Sequence, residues 1–112
     1  MWFKPAPLLG DFEQLVLLGV LRLGSEAYGA SIRQEIAARS HRDVSINAVY
    51  TTLDRLERKG FLRSWIGAPT PQRGGRRRKF YELCPAGNAA LRQAYRTFKS
   101  MTAGFEHRLE PK

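Results

Sequence analysis

Apolar and polar residues alternate along this chain in patterns that change from segment to segment, and each pattern predicts an element. From Phe12 to Leu23 apolar residues occupy most positions, which predicts a helix packed on several sides, between the helices that follow it and a C-terminal one. Asp11 with Gln14 three residues later has capping-box spacing and sets the start of that helix. Gly19 is unfavourable inside a helix, so a close approach by another helix is expected there. Gly24-Ser25-Glu26 breaks the pattern. A second helix is expected over 28–38, with Tyr28, Ile32 and Ile36 on one face and Gly29 able to admit a close crossing. His41 to Val44 then form a turn. Val49, Leu53 and Leu56 follow as a single stripe, with Ile46 beside it. Ser45 ahead of that stripe is a good N-cap, because its hydroxyl can accept from an orphan N–H. Gly60 behind it is a good stop, because helices often end on a residue of positive φ. The third helix therefore belongs to residues 45–60.

Beyond it, residues 61–66 and 79–83 are rich in aromatic and apolar side chains and read as two strands. The Gly/Pro-rich stretch between them is a turn-forming linker. Pro85 suits the first position of a final helix. In that helix Leu91, Ala94 or Tyr95, Phe98, Met101 or Thr102, and Phe105 repeat at alternating spacings of 3 and 4. A helix of about 20 residues is on the order of 30 Å long and should project past so small a domain. A terminal stripe with nothing after it needs a partner surface, and a second subunit is favoured over folding back. Leu91, Tyr95, Phe98, Met101 and Phe105 are therefore the expected dimerisation residues. Met1 to Leu9, with two prolines and the apolar Trp2, Phe3, Leu8 and Leu9, is expected to be an irregular arm packed on the body or on a second subunit.

The polar side of the third helix brings in chemistry. At about 100° per residue, Asn47, Thr51, Arg55 and Arg58 point away from the stripe, with Tyr50 and Thr52 on its margins. That face is short and uncharged at its N-terminal end and cationic towards its C-terminal end. A helix that reads base edges in a major groove needs hydrogen-bonding side chains of this kind near its N-terminus. An ordinary solvated face has the same pattern, so the helix alone does not decide.

Charge does. From Arg55 to Lys79 there are nine Lys or Arg and one acid, Glu57. Solvated faces are normally of mixed sign, whereas a one-sign run on a hairpin tip suits a polyanion. Helix, strand, basic Gly/Pro loop, strand is the layout of a winged helix-turn-helix, with residues 67–79 as the wing. The fold class expected is mainly α with a small β-hairpin: an arm over 1–9, a winged helix-turn-helix over 10–84 and a dimerisation helix over 85–112. Expected DNA contacts are Ser45, Asn47, Tyr50, Thr51, Thr52, Arg55 and Arg58 on the helix, and Arg73, Arg76, Arg77, Arg78 and Lys79 on the wing. Arg33 and Arg39 are expected to be solvated surface. Asp54 would repel phosphate unless Arg55, Arg58 or a cytosine amine engages it.

The strings LLGDFEQLVLLGVLRLG, AYGASIRQEI, INAVYTTLDRLERKGFL, PTPQRGGRRRKFYEL and PAGNAAL occur in the order and spacing of a known family. From about Leu9 to Leu91 the chain resembles the PadR-type transcriptional regulators. The resemblance implies a winged-helix DNA-binding domain, a C-terminal helix that makes a homodimer, and usually repression of a nearby operon; two recognition helices about 34 Å apart in such a dimer are then expected to read an inverted-repeat operator. Family members usually carry Thr or Ser before the proline that opens the last helix; Cys84 stands there here, so a less firmly fixed helix start is expected. Some members bind flat aromatic or cationic compounds between the C-terminal helices, which makes Tyr95 and Phe98 the expected lining for a small aromatic effector, although aromatics at helical spacing more often form interface core.

The rest narrows the classes. At 112 residues there is room for one small domain, and a net charge of +9 with a pI near 10.5 favours an anionic partner. One cysteine excludes an intramolecular disulfide framework, and Cys84 is expected to be a small buried side chain. No leader-like N-terminus or bilayer-length apolar run is present, which places the protein in the cytoplasm with no membrane partner. His41 and His107 have no cysteine or carboxylate at metal-ligand spacing, and the acids show no catalytic pairing. No enzyme activity, metal or cofactor is expected. The alternatives are a protein-docking winged helix or a non-specific RNA-binding module. A docking module would have little use for a polar helix face beside a cationic wing, whereas double-stranded DNA uses both.

Overall fold

A computed structural model of the chain describes residues 9–68 and 77–110. Helices α1 (Asp11–Leu23), α2 (Gly29–Ser40) and α3 (Ile46–Arg58) are followed by strands β1 (Leu62–Ile66) and β2 (Lys79–Leu83), then by helix α4 (Pro85–Thr102) and a short helix α5 (Glu106–Leu109). The mainly helical, winged-helix class is as expected. The arm over 1–8 and the tip of the wing over 69–76 lie outside the described residues.

Gly10, not Asp11, is the N-cap of α1. The Glu13 carboxylate accepts the Gly10 N–H at 3.0 Å, and Gln14 turns back to the Leu9 carbonyl at 3.2 Å. The capping interaction thus comes one residue earlier than the Asp11–Gln14 spacing suggests. At Gly19 a Cβ would lie 3.3 Å from Ile32 Cγ2, the close helix approach that this glycine announced. Gly29 is tighter still, because a Cβ there would fall 2.3 Å from the ring of Tyr50.

The core is built where the three stripes meet. Val16, Leu17 and Val20 of α1, Ile32 and Ile36 of α2, and Val49, Leu53 and Leu56 of α3 are all buried, and Phe61, Leu62 and Tyr81 close it from the hairpin. Leu18 and Leu21, however, stay 41% and 56% exposed, so in a single chain α1 is covered on fewer sides than its composition suggests. The strands pair antiparallel, Leu62 opposite Leu83 and Trp65 opposite Phe80. The Trp65 and Phe80 rings stack at 5.9 Å, a cross-strand pair that supports the register. The Tyr81 N–H donates to the Ala27 carbonyl at 2.9 Å, which ties the hairpin to the segment before α2.

At the head of α4 Cys84 is the N-cap but makes no side-chain capping bond; it is half-buried. Ala90 and Leu91 enter the core, and beyond them every residue of α4 is exposed except the half-buried Ala94 and Thr102. The helix therefore leaves the body of the domain. Two dimerisation assignments need correction. Leu91, at 8% exposure, is already covered by its own subunit. Phe105 is not on the helix at all, because Gly104 at φ 90° turns the chain first and Phe105 becomes the N-cap of α5.

Candidate nucleic-acid interface

Ser45 caps α3, accepting the Ala48 N–H at 3.4 Å. The turn ahead of it is held from α2, where Arg33 Nε donates to the Val44 carbonyl at 2.8 Å. That half-buried arginine is thus part of the frame that sets the entry to α3, and not the solvated surface expected of it. On the outer side of α3, Asn47, Tyr50, Thr51, Asp54, Arg55 and Arg58 are all exposed. Thr52 is not. It is 5% exposed and faces inward, so its assignment as a DNA contact is corrected. Tyr50 keeps 48% of its surface exposed while its ring occupies the space above Gly29, which places it on the margin between α2 and α3.

The base of the wing is held against this helix pair. Lys79 Nζ lies 3.5 Å from Glu57 Oε1 near the C-terminal end of α3, and 5.7 Å from the centre of the Tyr81 ring. Ser64 donates to the other oxygen of Glu57 at 2.5 Å. The Arg78 guanidinium sits 4.4 Å over the ring of Tyr28, which packs edge-on against Phe80 at 5.7 Å. Such a stacked cation adds a small attraction that ties wing to helix. Lys79 therefore lies beside the C-terminal end of α3 and Arg78 beside the start of α2, and the exposed Arg77 precedes them in the wing. Arg73 and Arg76 lie outside the described residues. Tyr81, behind this surface, has its hydroxyl pKa pushed up to about 12, by burial first and then by the charges of Asp54 and Glu57, so it is a neutral part of the core at physiological pH.

One ion-pair group joins α1 to the C-terminal end of α3. Glu13 of α1 is 7% exposed, and it takes Lys59 Nζ at 2.8 Å and Arg55 Nη1 at 3.8 Å. Burial opposes its ionisation, but the hydrogen bonds from Lys59 and Gly10 and the charges of Lys59 and Arg55 outweigh it and hold the carboxyl below its usual range. Spacing along one helix could not reveal this, since Glu13 and Lys59 are 46 residues apart. The C-terminal helix presents a different surface: Tyr95, Phe98 and Met101 stand 64%, 66% and 75% exposed. Tyr95 and Phe98, the residues expected to line an effector site, both stand in solvent in the single chain.

The chain is similar in sequence and fold to known regulators. The Transcriptional regulator PadR-like family matches over residues 17–93. A relative from Mycobacterium tuberculosis, transcriptional regulator Rv3488, is 38% identical over 79 residues, covering 69% of this chain and 67% of its own. Among solved structures, a PadR family transcriptional regulator from Eggerthella lenta superposes with a TM-score of 0.63 at 27% identity, covering 88% of this chain and 84% of its own. A PadR family regulator from Clostridium difficile gives 0.62 at 26%, covering 85% and 98%. Among the described residues no helix is long and apolar enough to cross a membrane. A helix-turn-helix with a cationic wing, matched over most of its length, identifies the chain as a member of the PadR-like family of transcriptional regulators, DNA-binding proteins and not enzymes.

Proposed function

We propose that this regulator is a cytoplasmic repressor that binds an inverted-repeat operator as a homodimer. The observation that carries the DNA-reading part is the join between α3 and the wing. The Lys79–Glu57 contact and the stacking of Arg78 on Tyr28 hold the base of the wing beside α3 and α2, which supports a surface shared by the exposed Asn47 and Thr51 and the wing cations. Polar side chains at the N-terminal end of α3 suit base edges, and cations at its C-terminal end and on the wing suit the flanking phosphates. Arg58, Arg77 and Arg78 serve the phosphates, with Arg55 shared between DNA and Glu13.

The exposed face of α4 supports the dimer. Burying a side chain such as Phe98 or Met101 stabilises by roughly 1.5–3 kcal/mol, and α4 carries Tyr95, Phe98 and Met101 into solvent with no cover from its own subunit. Leu18 and Leu21 of α1 add apolar surface beside a groove of about 370 Å³ between α1 and α2, which suits a brace from the second subunit. A two-fold dimer then presents two copies of α3 about 34 Å apart, matching half-sites one helical turn apart. Selection of bound fragments from genomic DNA, followed by titration against scrambled duplex, tests this. An inverted repeat preferred over scrambled sequence is expected; equal binding to all duplexes would remove the reading.

A further inference from the structure

Glu13 is the one buried carboxylate among the described residues, and both of its cationic partners come from the C-terminal end of α3. A buried ion pair is weak evidence for stability, since well-packed apolar residues often do as well. Its effect on charge is more specific. Lys59 is the C-cap of α3 and only 33% of its side chain is exposed, while Arg55 lies one turn earlier on the exposed side. If Lys59 turned to a phosphate, the buried carboxylate would lose its one side-chain hydrogen bond, at 2.8 Å, and keep only Arg55, at 3.8 Å, as a cationic partner.

We infer that Glu13 is a positioning residue for DNA binding that withholds Lys59, and in part Arg55, from the DNA backbone. The inference rests on the proposed DNA-reading surface and deepens it. Sequence-independent affinity grows with the number of phosphates neutralised, whereas sequence is read by groups that touch base edges. Ser45 and Asn47 stand at the other end of α3, roughly 20 Å from Lys59 along a helix of 13 residues. Glu13 therefore lowers the charge at the end of the helix away from the base-reading groups without touching them. It also pins that end to the first turn of α1, where its own carboxylate accepts the Gly10 N–H. On non-specific DNA the protein is free to shift until any available cation meets a phosphate. On a preferred site base contacts fix the pose. Withholding cations thus weakens non-specific binding more than specific binding.

The test measures the salt dependence of binding to a scrambled duplex and to a preferred duplex by fluorescence anisotropy, using the full chain. With Glu13→Gln, log K on the scrambled duplex should fall with log salt more steeply by about one, and affinity there should rise about eightfold at 0.1 M salt. The gain on the preferred duplex should be smaller. Lys59→Gln alone should leave the slope of the wild type unchanged, and in the Glu13→Gln background it should cancel the steepening. A folded Glu13→Gln variant with an unchanged or shallower slope would overturn the inference. So would a loss of about one unit of slope from Lys59→Gln alone, a result that decides the matter even if Glu13→Gln does not fold. Preference for one duplex with no change in slope defeats only the role of Glu13; failure to prefer any duplex defeats the DNA-reading surface itself.

Discussion

Gly87 offers the sharpest test of how α4 is attached. It is buried in the first turn of the helix, and a Cβ there would lie 2.2 Å from the carbonyl oxygen of Phe61 and 3.0 Å from its carbonyl carbon. That carbonyl is not free to move, because it accepts the Cys84 N–H at 3.0 Å and belongs to a residue only 7% exposed. Replacing glycine by alanine gains up to about 1 kcal/mol of helix propensity. Overpacking a site of this kind costs roughly 1–3 kcal/mol, and contact with fixed backbone puts the cost at the upper end. Gly87→Ala should therefore destabilise by about 2 kcal/mol, or on the order of 6–12 °C in Tm for a chain of this size. Gly19→Ala is the control. Its nearest neighbour is the Ile32 Cγ2 methyl at 3.3 Å, an overlap that a shift of a few tenths of an ångström relieves, so gain and cost should cancel to within about 1 kcal/mol. Urea unfolding followed by circular dichroism, at one protein concentration so that assembly is held constant, compares the two. A Gly87→Ala midpoint at or above wild type, or a larger loss from Gly19→Ala, would refute the reasoning.

Four further outcomes are expected. Phe98→Glu, a substitution on a side chain 66% exposed in the single chain, should leave the subunit folded but yield monomers in analytical ultracentrifugation and weaken operator binding; a wild type that sediments as a monomer at micromolar concentration would count against the dimer. Arg77→Gln should make the salt dependence of log K shallower by about one unit on every duplex, whereas Asn47→Ala should relax preference at one base by about 1–3 kcal/mol; equal loss on all sequences from Asn47→Ala would contradict its readout role. Glu13 titrates below its ordinary value of 4.5 in the folded chain, so its contribution to stability is full above that value and is lost as pH falls through the lower folded value. Urea unfolding between pH 3 and 7 should therefore show a shallower acid loss for Glu13→Gln, and an identical acid profile would remove the ion pair from the account.

Much of the fold could be read from local chemistry. Ser45 and Gly60 punctuate α3 because capping and positive φ are decided within a few residues, and Gly60 does adopt φ 79°. The second strand was legible at both ends, Lys79 and Leu83, because it is bounded by cations on one side and by Cys84-Pro85 on the other. Misreadings arose where a neighbour distant in sequence decides. Thr52 lies on the margin of the helical stripe, and only the packed domain determines that it is buried. Leu91 continues the periodicity of Tyr95 and Phe98, but periodicity does not say which subunit covers a position. Phe105 could have been separated from that stripe, since Gly104 just ahead of it is a helix-ending residue.

Charge is where sequence and structure diverge most, and the divergence bears directly on function. Nine cations between Arg55 and Lys79 read as one electrostatic footprint. In the folded chain, Lys59 and Arg55 face Glu13, Lys79 faces Glu57, Arg63 pairs with Glu82 across the strands, and Arg78 stacks on Tyr28. Of this run, only Arg58 and Arg77 among the described residues make neither an ion pair nor a ring contact. Since each neutralised phosphate contributes about 0.9 to the salt slope, the slope counts cations that can leave their protein partners and not cations in the sequence. A cation held by a surface acid such as Glu82, whose side chain is 40% exposed, can exchange partners at small cost, because surface pairs are weak. Lys59, hydrogen-bonded to the buried Glu13 at 2.8 Å, exchanges only at greater cost. On the proposed DNA-reading surface, effective charge therefore depends on which acids are buried beneath it, and Glu13 of α1 sets it by holding Lys59 and, in part, Arg55 of α3.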